Sequence, residues 1–270
     1  MIKKILCPID FSDAAINAVS YAAKVAQTFK AELILLNVRA TARVGGPGSS
    51  KDYADTLQKS EETLNALVKE VNKAYRISCT REVKLTMQDF NEVIGDTAGE
   101  DTLIVIGSNG ADTISQDIFG SNTYRIVKRA KCPVWLVPEK WEYGTPDNLL
   151  FIFSNDGIND ELKNARPFLE IFRSDLTFLK IGKSVLTNID IARLKEDFRK
   201  RVPEETHITI DSTTAENIAE KILERAFRGK ISLLIICYHR KTFLKICKKD
   251  IVRSITKQPF LPMLIFPESE

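Results

Sequence analysis

One short motif occurs twice in this chain of 270 residues, and it constrains the architecture more than any other feature. Cys132-Pro133-Val134-Trp135-Leu136-Val137-Pro138-Glu139 sets four apolar residues between two prolines, with a glutamate behind them. Leu261-Pro262-Met263-Leu264-Ile265-Phe266-Pro267-Glu268 repeats the pattern. Proline lacks a backbone N–H and is excluded from the interior of a ladder, so each pair of prolines frames a short strand. The same succession of apolar runs and amphipathic stretches precedes both. A repeat on this scale predicts two copies of one unit rather than a single large domain.

In the first copy, Ile2 to Ile9 reads as a strand stopped by Asp10, and Ser12 as the N-cap of a helix. Ala15, Ala18, Val19, Ala22, Val25, Ala26 and Phe29 recur along that helix at helical spacing. Leu33 to Val38 is a buried-type strand. Thr41 to Ser50, with Gly45, Gly46, Pro47 and Gly48, is a loop. Tyr53 to Lys73 follows as a charged amphipathic helix. A strand over Glu82 to Thr86, a helix over Asn91 to Ala98, a strand over Leu103 to Ile106, a helix from Ser121 to Arg129 and the strand Val134 to Val137 complete the unit.

Apolar strands alternating with helices predict a parallel sheet covered on both faces, with right-handed crossovers. The second copy reads likewise, from the strand Leu149 to Phe153 through Leu176 to Ile181, His207 to Ile210 and Ile231 to Ile236 to Met263 to Phe266. Pro167 falls in its first helix and predicts either a kink or a late start. The expected fold is α/β, as two tandem doubly wound domains with five-stranded parallel sheets, over residues 1–139 and 149–270. Residues 140–148 are a polar linker.

Composition narrows the function classes. With 39 basic and 36 acidic residues the net charge is +3, which argues against a nucleic-acid binder. The five cysteines are odd in number and widely spaced, without a C-x-x-C pair, so a reducing, cytoplasmic compartment is expected. The opening apolar run is too short to span a bilayer, and no membrane partner is expected.

The chemistry concentrates in Gly107-Ser108-Asn109-Gly110, followed after nine residues by Gly120-Ser121. Glycines at a strand end let backbone N–H groups approach phosphate oxygens. Gly120 and Ser121 open a helix whose free N–H groups and positive dipole end favour an anion. Asp10 ends the first strand at the same sheet edge, where ligands of such folds bind. A lone aspartate there is more often a helix-capping residue than a ligand, but its carboxylate could accept from an adenine amino group or a ribose hydroxyl. The backbone around Val38 could read the other edge of the base.

The spacing Gly107-x2-Gly110-x9-Gly120-Ser121 resembles the ATP-binding motif of the universal stress proteins. Ile2 to Asp10 with Ser12, and the closing strand at Cys132 to Val137, are similar to that family too. The resemblance covers the first 140 residues well and the rest more loosely, as in tandem, Rossmann-like members. It implies an ATP-binding stress-response protein, with Asp10 and Val38 on adenine and Gly107, Asn109, Gly110, Gly120, Ser121 and Asn122 on ribose and phosphates. It also implies pairing of the closing strands, here within one chain; a homodimer and an unidentified protein partner are further expectations. The stretch after Gly110 departs from the family in holding two acids, Asp112 and Asp117, and no base. Either acid could hold Mg²⁺ against the phosphates, or both could be solvated.

In the second copy, aligning Ile236 with Ile106 puts Cys237 and Arg240 at the two glycine positions and Asp250 and Ile251 at the Gly-Ser position. The first strand there ends in Ser154-Asn155. This half is expected to bind no ATP. The chain has no P-loop lysine motif, no G-x-S-x-G and no H-E-x-x-H, and its histidines, His207 and His239, fall in the altered half. Binding is therefore favoured over turnover; slow ATP hydrolysis and a structural interaction module are the alternatives.

Overall fold

The structure is a computed structural model that describes residues 2–40, 50–86, 88, 90–108, 126, 129–153, 158–182, 184–214, 221–222, 224–225, 228, 230–237 and 261–266. In the first half, strands β1 (Lys4–Pro8), β2 (Glu32–Ala40), β3 (Cys79–Thr86), β4 (Thr102–Ser108) and β5 (Val134–Pro138) alternate with helices α1 (Asp13–Phe29), α2 (Ser50–Tyr75) and α3 (Phe90–Thr97). The second half contributes β6 (Asn148–Phe153), α4 (Ile158–Phe172), β7 (Asp175–Gly182), α5 (Asn188–Arg199), β8 (Ile208–Thr214), β9 (Leu233–Cys237) and β10 (Met263–Phe266).

The two five-stranded sheets expected from the sequence are one. Ten strands run in the order β3-β2-β1-β4-β5-β10-β9-β6-β7-β8. Each half is parallel within itself, and the seam is the antiparallel pair β5–β10, so the sheet is mixed. The physical reason is edge satisfaction: β5 and β10 each end a half-sheet with unpaired N–H and C=O groups, and they saturate each other. Trp135 stands opposite Leu264, flanked by Leu136 opposite Met263 and Val134 opposite Ile265. Residues equivalent in the two proline-framed motifs thus exchange places across the seam, as at a twofold axis.

Alternation along the strands sorts the core into two layers. Ile5, Cys7, Leu33, Leu35, Leu103, Val105 and Trp135 face α1, α2 and α4. Leu6, Leu36, Ile104, Val134 and Leu136 face α3 and Ile126. Over the seam, Phe29 of α1 meets Phe168 and Phe172 of α4 at 5.1 and 5.8 Å between ring centroids, while Trp135 lies under both helices. Pro167 lies inside α4, which runs on either side of it, so a late start is excluded. The segment between β5 and β6 is tied down at both ends. The Asn17 amide donates to the Pro138 and Trp141 carbonyls, and the Ser232 hydroxyl accepts from the Asp147 and Asn148 amides.

Helix α1 starts as its sequence predicts, with the Ser12 Oγ accepting from the Ala15 amide at 3.3 Å. It ends on Lys30 in the left-handed region, at φ 52°, with the Lys30 N–H turned back to the Ala26 and Gln27 carbonyls. Arg76, Arg173 and Lys230 take the same conformation at φ 53°, 49° and 48°. Glycine occupies this conformation without a Cβ clash. Lys30→Gly is therefore expected to stabilise the chain by about 0.5–1 kcal/mol in urea unfolding.

Candidate functional site

Strand β1 leaves the sheet where β2 continues. The last main-chain bond between them runs from the Ile9 N–H to the Leu36 carbonyl, 2.9 Å long. Asp10 follows on the surface, and Phe11 takes a φ of 68° to turn the chain into α1. The Asp10 Oδ1 accepts from both the Ser12 amide (2.9 Å) and the Ser12 hydroxyl (2.6 Å). Both bonds use one oxygen. Oδ2 has no partner among the described residues and is presented at the carboxyl edge of the sheet. Asp10 is thus both a turn-former and an exposed acceptor.

Val38 lies two residues beyond Leu36 on β2 and pairs with Lys84 of β3. Backbone groups in a strand alternate sides with period two. The Leu36 carbonyl faces β1, so the N–H and C=O of Val38 face the same way, past the point where β1 has ended. Asn37 between them is buried, and its amide donates to the Ile9 carbonyl at 2.6 Å. Sequence reasoning passed over Asn37 and Arg39. The one available signal was an asparagine inside the apolar run Leu35-Leu36-Asn37-Val38.

Gly107 lies inside β4, opposite Val137 of β5, so the strand extends past the first glycine of the motif. A Cβ there would fall 2.6 Å from the Ala14 carbonyl carbon and closer still to its oxygen. The first turn of α1 rests directly on the end of β4, and glycine is the one residue that leaves room. The structure therefore brings Asp10, Val38 and Gly107 to one edge, across the junction between β1 and β4 where the strand order reverses. Asn109, Gly110, Gly120, Ser121 and Asn122 lie outside the described residues, as do Asp112, Asp117 and residues 41–49 of the expected loop, whose last residue, Ser50, opens α2.

Strand registers fix the equivalences of the second half without recourse to identity. Outward from the Trp135–Leu264 seam, Ile104 corresponds to Leu234 and Leu6 to Leu150. Asn37 then corresponds to Lys180, Val38 to Ile181, Arg39 to Gly182 and Gly107 to Cys237. The sequence alignment that put Cys237 at the first glycine position agrees with this register. Ser154, Asn155, Arg240, Asp250 and Ile251 lie outside the described residues.

Burial pushes the Cys79 thiol up to about 11, with Glu32 adding to it, and pushes Cys132 to about 12. Burial, then Cys79, raises Cys7 further. None of the three supplies a thiolate near neutral pH. Asp211 on β8 is held below the usual carboxylate range: the cost of burial is outweighed by the Ser212 amide, Arg225 and Lys221. His207 is exposed ahead of β8, away from the β1–β4 junction. No group of three His, Cys, Asp or Glu among the described residues could hold a metal ion. No described helix is long and apolar enough to cross a membrane.

A doubly wound half built twice, in its first copy with an acid closing the first strand and glycine at the end of the fourth, defines a class. The chain belongs to the universal stress protein family, which matches residues 1–138. Universal stress protein MJ0531 of Methanocaldococcus jannaschii is 29% identical over 139 residues, covering 50% of this chain and 81% of the relative. Universal stress protein MJ0577 of the same organism is 28% identical over 163 residues, 52% of this chain and 97% of its own. Both relatives therefore match about one half of the chain. A universal stress protein structure from Archaeoglobus fulgidus spans 98% of both chains with a TM-score of 0.76 at 15% identity, so the fold extends over the second half as well.

Proposed function

We propose that the chain is an adenine-nucleotide-binding universal stress protein with one ATP site, in its first half, whose occupancy alters its contacts with a protein partner. The observation that carries this reading is the exposed Asp10 carboxylate beside the outward-facing main chain of Val38 at the β1–β4 junction. Adenine offers an amino donor next to a ring acceptor, which matches a carboxylate next to a main-chain N–H. Gly107, Asn109, Gly110, Gly120, Ser121 and Asn122 would hold the ribose and phosphates through backbone N–H groups and a helix start. The first unit would comprise residues 1–139 and the second 149–270, with Cys237 standing where phosphates need glycine.

Binding without efficient turnover is the expected behaviour, since the sequence carries no P-loop lysine motif and both histidines fall in the second half. The test is mass spectrometry of nucleotide retained by the purified chain, then titration with ATP. One site per chain is expected, abolished by Gly110→Arg. Two sites would contradict an inactive second half, and no site would overturn the reading. Multiple turnover sensitive to Asp10→Asn would mark an ATPase instead. Equal affinity with Mg²⁺ and with a chelator would remove Asp112 and Asp117 as cation ligands.

A further inference from the structure

The end of β1 is held by a side chain. The Ile9 carbonyl, which a continuing ladder would pair with main chain, accepts instead from Asn37 Nδ2 at 2.6 Å. Asn37 is 2% exposed, and its Oδ1 accepts from Arg39 Nε at 2.9 Å. Arg39 Nη2 in turn donates to the Ser60 hydroxyl of α2 at 2.7 Å. A buried amide with both ends fixed by partners is rigid, because releasing either end strands a polar group away from water. The relay grips the residue before Asp10 and grows from the residue before Val38. It therefore fixes the separation of the two groups that face the base.

The second half supplies an internal comparison. It builds the same sheet with Lys180 in place of Asn37 and Gly182 in place of Arg39, and there the main-chain ladder itself carries Phe153 to Lys180. The apolar partners persist, with Leu33 answered by Leu176, Leu35 by Phe178, Leu36 by Leu179 and Val38 by Ile181. Closing the sheet thus does not require the relay. It occurs in the half that has Asp10, and it is missing from the half with Ser154 at that place in the sequence.

We infer that Asn37 and Arg39 are positioning residues that hold Asp10 against Val38 at a spacing that admits adenine and rejects guanine. This rests on the nucleotide-binding reading above. Guanine presents an oxygen where adenine has its amino group, so a fixed carboxylate repels it. A carboxylate free to shift would instead reach the guanine ring N–H and amino group, and discrimination would fall.

Asn37→Asp tests this directly. It is nearly isosteric and keeps the acceptor for Arg39, but it cannot donate to the Ile9 carbonyl. Arg39→Met, at a half-buried position, is the second variant should the first fail to fold. Affinities of the full chain for ATP and GTP are measured by calorimetry, beside the unfolding midpoint. The ATP-to-GTP preference is expected to fall roughly tenfold in each folded variant, mainly through tighter GTP binding. A purely structural role would weaken both nucleotides in proportion and leave the ratio unchanged, which overturns the inference while the ATP site stands. A wild-type chain that binds neither nucleotide removes the ATP reading and the inference together.

Discussion

Trp135→Ala is expected to cost the chain about 3–5 kcal/mol in urea unfolding followed by circular dichroism. Trp135 is fully buried on β5 at the seam, opposite Leu264 of β10. Its ring lies edge-on to Tyr21 of α1 at 5.5 Å and to Phe172 of α4 at 5.9 Å, and tilted against Phe168 at 6.3 Å. Truncation leaves a cavity shared by both halves, and close-packed neighbours from two helices cannot collapse into it independently. The loss should therefore appear as one transition moving as a whole. A loss under about 1 kcal/mol, or a transition split in two, would show that the halves are stable without the seam.

Gly107→Ala is the second large effect. A single methyl overlaps the Ala14 carbonyl, and the clash is with backbone at the start of α1, which cannot rotate away. The expected destabilisation is about 3 kcal/mol, at the upper end of overpacking costs. Gly144→Ala is the matched control: nothing lies within 4 Å of a Cβ there, so stability should stay within about 0.5 kcal/mol. Equal effects at the two glycines, read from the same unfolding curves, would contradict the close contact between α1 and β4. Separation of α1 from β4 would also displace Asp10, so any nucleotide retained by the wild type should be lost with the fold.

The elements legible in the sequence are those whose chemistry is local. The prolines around β5 and β10 bound those strands to within a residue, because a missing N–H ends a ladder wherever it occurs. Ser12 announced α1 for the same kind of reason. The outermost strands were read too short. β3 begins at Cys79 and β8 reaches Thr214, through Thr80, Arg81 and Asp211, Ser212, because an edge strand with one partner tolerates polar residues that a central strand does not.

Gly107 was legible as special, but its reason was not: a positive φ and a forbidden Cβ look alike in a sequence, and here the contact with Ala14 decides. The Asn37–Arg39–Ser60 relay was illegible because its members lie up to 23 positions apart and meet only when α2 packs on β2. The joining of the two sheets was legible only through the family resemblance, which implied pairing of the closing strands within one chain; two good edges each predict pairing, and strand pattern alone does not say with what.

The β5–β10 seam has a consequence for how the two halves can change over generations. In an assembly of identical chains, twofold symmetry makes every substitution appear on both sides of the axis at once. Within one polypeptide that constraint is lifted: Gly107 and Cys237 can differ while the strands that join them stay matched. The tether also holds the partners at a high effective concentration regardless of how much protein is made. Pairing therefore does not weaken on dilution, and every molecule carries one copy of each kind.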